Sequence, residues 1–175
     1  EAMVEMNMRA VLAETIVDFA NCDSDASYGG LALGERFIQE WKGRHPLITP
    51  AIGPHATNTN SAEVLKQAQA IAERCDVLLS LHTAEMDYEM ETFRKERNQT
   101  PIEYLESIGL LSPHLVAAHC IHVNDQDLAL MAKYGCRIAH CIGSNMKAGK
   151  GIAPLKKMVA HHIPVGLGTN SAPAA

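Results

Sequence analysis

The sequence predicts an α/β protein built on a parallel sheet. Short apolar runs alternate with amphipathic helical segments along the 175 residues, which is typical of β/α units with parallel strands. Several runs are continuously apolar, as strands buried on both faces are. No linker interrupts the alternation, so we expect one domain. A doubly wound sheet and part of a (β/α)8 barrel both fit this pattern. No GxGxxG turn follows the first strand, which weakens the nucleotide-fold alternative.

Six strands are predicted from the β-rich apolar runs. They cover residues 9–16, 47–52, 77–81, 115–118, 137–141 and 164–167. Each is bounded by turn residues or by a segment with helical periodicity. The chain therefore offers six successive β/α units.

Three of the intervening helices have recognisable ends. Ser61 is a predicted N-cap for an apolar stripe that begins at Val64, because its hydroxyl can accept from a free backbone N–H. Asn124 and Asp127 form a predicted capping box, and Gly135 ends that helix. A further helix opens at Pro154 and runs to about residue 161.

Composition excludes several classes of partner. The formal net charge is -5 and there is no basic block, so nucleic acid is not expected. No apolar run approaches the length of a membrane span, and no signal peptide is visible at the first residues. The five cysteines form no CxxC pair and no disulfide framework, which favours a reducing cytoplasm.

Polar side chains follow strand after strand at the point where each strand ends. Because the carboxyl ends of parallel strands meet at one mouth of a barrel, these residues are expected to converge. Three histidines on successive units at the same end favour a shared site. The residues are His55, His82, Glu85, His119, His140, Ser144, Asn145 and Asn170.

The remaining histidines and acids are given structural roles. His122 and His140 are interpreted as structural residues. In the acidic run 85–96 only Glu85 lies close enough to a strand end to matter, and the rest is expected to be a solvated helix face. Four other histidines are expected to face solvent: His45, His114, His161 and His162.

Four motifs together resemble the amidohydrolase superfamily: LSLHTAE, VAAHCIH, AHCIGSNMKAGKGIAPL and VGLGTN. More narrowly, they are similar to the branch that holds 5-methylthioadenosine/S-adenosylhomocysteine deaminases and triazine hydrolases. The GPHAT segment and PIEYLESIGLLSP agree with this resemblance, which extends from about residue 8 onward. The order and spacing of the motifs are specific for the family and less specific for the substrate.

The resemblance implies a (β/α)8 TIM-type barrel with one divalent metal, usually zinc, at its mouth. It implies that His82 is a metal ligand and that His55 contacts the substrate. Glu85 would move protons and hold the edge of a purine ring, and His119 would contact the metal-bound water. Asn170 falls where the family has an aspartate ligand. The implied reaction is hydrolytic deamination of an adenosine-type nucleoside by a metal-activated water.

Two departures from the family pattern bear on activity. No H-x-H pair occurs in the sequence, and Asn170 stands where an aspartate would both bind metal and shuttle protons. An amide is neutral and a poor zinc ligand. The resemblance implies that residues 1–175 carry about strands 3 to 8, an incomplete barrel without the first two strands and the small β-domain. Little activity is therefore expected of the isolated chain.

Three hypotheses about the function remain open. The leading one is a zinc-dependent deaminase of a purine nucleoside. The enzymatic alternative is a guanine deaminase or a triazine chlorohydrolase. The non-enzymatic alternative is an inactive fragment or pseudoenzyme, which Asn170 and the missing H-x-H favour. Family members often assemble as oligomers, so a homo-oligomer is also compatible with the resemblance.

Overall fold

Strands and helices alternate along the chain in the computed structural model, which describes residues 2–20 and 29–170. The chain divides into two compact units, Glu1–Ser80 and Leu81–Ala175. The first unit contains α1 (Ala2–Glu5), β1 (Ala10–Ile16), α2 (Gly29–Trp41), β2 (Ile48–Pro54), α3 (Ala62–Cys75) and the start of β3 (Leu78–Thr83). The second contains the end of β3, α4 (Asp87–Arg97), α5 (Pro101–Ser107), β4 (Leu115–His119), α6 (Asp125–Lys133), β5 (Arg137–His140), α7 (Ile142–Lys147), α8 (Leu155–Ala160) and β6 (Val165–Leu167).

Strand pairing within each unit is parallel and follows the order of the chain. In the first unit β1 pairs with β2 along its whole length, and β2 pairs with the start of β3. In the second unit β4 pairs with β5, and β5 pairs with β6. A helical crossover separates consecutive parallel strands, as parallel pairing requires. The predicted parallel α/β architecture is therefore confirmed.

All six predicted strands exist, and three of them, β2, β3 and β4, end further along the chain than predicted. Strand β3 continues through His82, and β4 continues through His119. Strand β2 extends to Pro54, whose register partner on β1 is Ile16. The apolar runs stop earlier because the last positions of these strands carry polar side chains or glycine and proline. The key histidines are therefore the last or near-last residues of strands rather than loop residues.

The helix ends predicted at Ser61 and at Asn124 to Gly135 are confirmed, and the start of the third helix is shifted by one residue. Ser61 accepts a hydrogen bond from the backbone N–H of Val64, and Asn124 forms a reciprocal capping box with Asp127. Gly135, with φ of 68°, follows the end of α6 in the left-handed conformation that glycine tolerates best. Pro154 is the N-cap of α8 rather than its first residue.

The cysteines behave as small apolar residues. Within the described ranges Cys75, Cys120, Cys136 and Cys141 are free thiols, and the last three are buried. Burial raises the pKa of the Cys136 thiol to about 11 and that of Cys120 well above its ordinary value. Cys22 lies outside the described residues. Across the part of the chain that the structure describes, no helix has the length and apolar character needed to cross a membrane.

The four histidines expected to face solvent divide into two groups. His162 is exposed, as predicted, whereas the other three are half-buried. His140 is buried, as expected of a structural residue. His122 is also mostly buried, and its Nδ1 lies 3.2 Å from the carboxylate of Asp87.

Close packing of β1 on β2 predicts that an added methyl group at Gly53 destabilises the fold. A Cβ there would lie 2.9 Å from Ala13 Cβ and 2.9 Å from the carbonyl oxygen of Glu14. Because backbone cannot move cheaply, Gly53→Ala should lower the free energy of unfolding by about 1–3 kcal/mol. Urea denaturation followed by circular dichroism measures this change.

Gly166→Ala is the matched control, because Gly166 also lies in a strand but a Cβ there meets nothing within 4 Å. It should change the stability by less than about 0.5 kcal/mol. Equal effects of the two substitutions would contradict the packing explanation.

Candidate active site

The end of β3 presents His82 and, after a tight turn, Glu85. Ala84 within this turn has φ of 50°, a conformation that alanine rarely adopts. The turn is held by Glu89, whose carboxylate accepts from the backbone N–H groups of Ala84 (3.1 Å) and Glu85 (2.9 Å). Glu89 is only 4% exposed. The expectation that only Glu85 matters in the acidic run was therefore wrong, because a carboxylate one helical turn further on turns inward to cap the loop.

The end of β4 turns just as sharply. His119 and Cys120 have φ of 70° and 48°, so two consecutive residues with side chains adopt the left-handed conformation. The backbone of Cys120 donates to Thr83 (3.1 Å), and Ile121 donates to Ala84 (2.9 Å). Backbone strain of this kind is retained where the surrounding structure fixes it, which is common at functional sites.

Three of the sequence-predicted site residues converge at these strand ends. The rings of His82 and His119 stack with centroids 5.2 Å apart and an interplanar angle of 28°. Nε2 of His119 lies 3.4 Å from Oε1 of Glu85. His119 is fully buried, whereas His82 and Glu85 are half-buried. The cluster therefore combines one fully buried side chain, His119, with two that solvent can reach, His82 and Glu85.

Asn170 joins the same cluster from the segment after β6. Its Oδ1 lies 3.3 Å from Nε2 of His82, and its Nδ2 donates to Oγ of Ser144 at 2.9 Å. Both ends of the amide are therefore engaged. The two predicted metal-ligand positions, His82 and Asn170, lie next to each other in space although 88 residues separate them in the chain.

His55 lies at the end of β2 in the first unit. Its backbone N–H donates to Ile16 at 2.9 Å, and its Nδ1 lies 2.9 Å from Oγ1 of Thr59. The side chain is exposed. The other four predicted site residues lie in the second unit, so the predicted contact of His55 with substrate stays a prediction.

Two further residues reach the cluster: Asn145, which was among the strand-end residues expected to converge, and Lys150, which was not. Nζ of Lys150 makes a short hydrogen bond and ion pair with Oε1 of Glu85. Oδ1 of Asn145 lies 2.6 Å from Nδ1 of His119. Asn145 follows a predicted strand in the sequence, and this position indicated that it lies near the site. Lys150 comes from a loop between two short helices and gave no periodic or strand-end signal.

The electrostatics of the cluster favour an ionised Glu85 beside a neutral His119. Burial raises the pKa of Glu85, but the hydrogen bond from Lys150 and the nearby positive charges outweigh burial and hold that pKa below its ordinary value. Burial lowers the pKa of His119, and this effect exceeds the opposing influence of Asn145 and Glu85. A carboxylate able to accept a proton thus lies next to an imidazole that is uncharged near neutral pH.

The described residues do not form a complete metal site. Within residues 2–20 and 29–170, no group of three or more His, Cys, Asp and Glu side chains is arranged to hold a metal ion. His82 offers one imidazole, and Asn170 offers a neutral amide oxygen. Zinc in proteins normally has three or four protein ligands with charged or imidazole donors. The two candidate ligands are therefore too few to hold zinc by themselves.

The comparisons with known proteins agree with this architecture. The model of the amidohydrolase family matches residues 1–175. The chain is 44% identical over 138 residues to a 5'-deoxyadenosine deaminase of Methanothrix thermoacetophila, covering 79% of this chain and 33% of that protein. It is 39% identical over 170 residues to a 5-methylthioadenosine/S-adenosylhomocysteine deaminase of Syntrophobacter fumaroxidans, and the match covers 97% of this chain and 39% of that protein. The chain belongs to the amidohydrolase family, which confirms the resemblance read from its motifs.

A solved structure supports the fold. The crystal structure of an adenosine deaminase from Xanthomonas campestris with bound zinc matches 98% of this chain and 39% of that one, with a TM-score of 0.92 and 24% identity. This chain therefore has the fold of part of that structure. The chain spans 33% to 39% of the length of the two curated relatives named above.

The Lys150–Glu85 pair predicts a measurable change in the pKa of Glu85. Lys150→Met removes the main contact that lowers this pKa and leaves the burial that raises it. The pKa of Glu85 should therefore rise, as followed by carboxyl-carbon NMR titration. Lys156→Met, a change at an exposed lysine of α8, is the control and should leave the titration unchanged.

The same substitution should alter the dependence of stability on pH. Since the folded-state pKa of Glu85 is lowered, its ionised form stabilises the protein above the unfolded-state pKa. This contribution is lost as the pH falls through the folded-state value. Lys150→Met should therefore lose less stability than the wild type between neutral and acidic pH. An unchanged profile would show that Lys150 does not control the charge on Glu85.

Proposed function

We propose that this chain supplies part of the active site of a hydrolytic deaminase that acts on an adenosine-type nucleoside. One observation carries the proposal, namely the convergence of Glu85, His119 and His82 at the ends of adjacent β/α units. The two curated relatives, which deaminate nucleosides of this class by name, support it. Cytoplasmic location and a homo-oligomeric state stay predictions.

Glu85 has the properties required of the proton-transfer group. Its carboxylate is only 16% exposed and paired with Lys150, so it is ionised and desolvated at neutral pH. In the proposed reaction it accepts a proton from the attacking water and delivers a proton to the ring nitrogen. The water oxygen bonds to the ring carbon that bears the amino group. The bond from that carbon to the amino nitrogen then breaks, and the amine leaves as ammonia after taking the second proton of the attacking water. His119 lies where its Nε2 can accept a hydrogen bond from the reacting groups.

A complete enzyme of this kind would need a divalent metal. The adenosine deaminase from Xanthomonas campestris contains zinc, and zinc is the metal that we propose here. His82 and Asn170 are the two candidate ligands in this chain, so further ligands would have to come from residues other than those described.

Asn170 gives the non-enzymatic alternative a specific basis. An asparagine amide oxygen can coordinate a metal weakly, but the side chain cannot accept and return a proton as aspartate can. Its amide is also already engaged by His82 and Ser144. A pseudoenzyme with the architecture of a deaminase is therefore the second candidate function.

The incomplete ligand set predicts a low zinc content. Untagged chain purified without added metal should hold far less than one zinc per chain, as measured by inductively coupled plasma mass spectrometry. Asn170→Asp should raise the affinity, because a carboxylate is a better zinc ligand than an amide. His162→Ala, at an exposed histidine, is the control for adventitious binding. Close to one zinc per wild-type chain, lost in His82→Ala, would contradict the prediction.

A chimera tests the catalytic proposal directly. Residues 2–170 of this chain would replace the corresponding segment of the Syntrophobacter fumaroxidans enzyme. With Asn170→Asp the chimera should release ammonia from 5'-deoxyadenosine and methylthioadenosine. With Asn170 retained, or with Glu85→Gln added, the rate should fall by about 10²–10⁴-fold, the range typical of a lost general acid or base.

The substrate panel separates the enzymatic alternatives. Guanine and a chlorotriazine would be assayed beside the adenosine-type nucleosides. Preference for either one would reject the adenosine-type assignment. A folded, zinc-containing Asn170→Asp chimera that is inactive on every substrate would favour the pseudoenzyme.

A further inference from the structure

The buried imidazole of His119 has different surroundings at its two nitrogen atoms. Nδ1 lies 2.6 Å from Oδ1 of Asn145, and both side chains are fully buried. Nε2 lies 3.4 Å from Oε1 of Glu85 and is buried without a hydrogen-bond partner among the described residues. Nδ1 is thus in contact with an amide oxygen, whereas Nε2, which lies near the carboxylate, has no hydrogen-bond partner among the described residues.

The short contact on the first side determines where the ring proton lies. An amide oxygen carries no hydrogen, so a separation of 2.6 Å requires the proton to be on Nδ1 of His119. A neutral imidazole has a single ring proton, which leaves Nε2 with a free lone pair.

We propose that Asn145 is a positioning residue that holds neutral His119 as the Nδ1–H tautomer, so that Nε2 faces Glu85 as an acceptor. Two acceptors 3.4 Å apart, the imidazole nitrogen and the carboxylate oxygen, create a place for a group that donates hydrogen bonds. Water and the protonated ring nitrogen of a purine are groups of this kind. Lys150 pairs with the same oxygen, Oε1 of Glu85, and offsets the negative charge of the carboxylate.

The placement of Asn145 suits this role. It lies on α7, where its backbone N–H donates to Cys141 at 2.9 Å and its carbonyl accepts from Lys150 at 2.9 Å. These two bonds fix the backbone at Asn145, from which the side chain reaches Nδ1 of His119. The catalytic use of the acceptor rests on the proposed deaminase function, whereas the tautomer itself does not.

The tautomer can be read from the ring nitrogens of the complete chain. Protein labelled with ¹⁵N-histidine would be studied by long-range ¹H–¹⁵N correlation spectroscopy at neutral pH, with His119→Gln used to assign the signals. We expect Nδ1 of His119 to be protonated and Nε2 to be bare in the wild type. Asn145→Asp retains an acceptor and should keep the proton on Nδ1.

Asn145→Leu removes the acceptor, so Nδ1–H should be lost as the dominant form and the proton should move to Nε2. Ser144→Ala is the matched control, because Ser144 is the adjacent buried residue of α7 and contacts Asn170 rather than His119. It should leave the tautomer unchanged.

Two results would overturn the proposal. One is wild-type His119 protonated on Nε2, which would mean that the amide donates to Nδ1. The other is an unchanged tautomer in Asn145→Leu. That variant is checked for folding by its backbone amide spectrum. If it does not fold, the position of the ring proton in the wild type and in Asn145→Asp still decides whether the proposal stands.

The chimera tests the catalytic consequence separately. In the active Asn170→Asp chimera, Asn145→Leu should lower kcat by about 10- to 100-fold, the cost typical of losing a group that orients a histidine. A lost tautomer with unchanged kcat would reject the catalytic role. An inactive chimera would count against the proposed function and leave the spectroscopic result standing.

Discussion

The carbonyl of Ala84 organises the candidate site. It accepts backbone hydrogen bonds from Ile121 (2.9 Å) and His122 (3.0 Å), and so joins the turn after β3 to the turn after β4. Both turns contain residues with side chains in the left-handed conformation, which costs free energy unless neighbouring contacts fix it. The stacking of His82 on His119 and the approach of Glu85 to His119 depend on this junction.

The short helix α7 supports the same cluster from a second direction. Ser144 accepts from the amide of Asn170, and the adjacent Asn145 contacts Nδ1 of His119. The backbone of Asn145 also accepts from the backbone of Lys150, the residue that pairs with Glu85. Two adjacent side chains and one carbonyl of α7 thus fix three residues that are distant in sequence. A segment of six residues determines much of the geometry.

The charges of the cluster are balanced within a partly desolvated environment. Glu85 and Lys150 have side chains only 16% and 20% exposed, so each would be costly to bury without the other. Their pairing keeps the carboxylate ionised, and burial keeps His119 uncharged. Glu89, buried in the first turn of α4, accepts hydrogen bonds from backbone N–H groups instead. The site therefore contains an ionised base without an uncompensated buried charge.

The six parallel β/α units, the helix caps and the placement of His82, Glu85, His119 and Asn170 at or just after strand ends could be predicted from the sequence. Apolar periodicity and capping residues are local signals, and parallel strands bring their carboxyl ends together as a consequence. The capping of a turn by Glu89, the pairing of Lys150 with Glu85 and the contact of Asn145 with His119 became visible only in the folded chain. These contacts join residues through loops and short helices, whose paths no periodicity specifies. Three strands were predicted to end too early because their last positions carry polar side chains, glycine or proline.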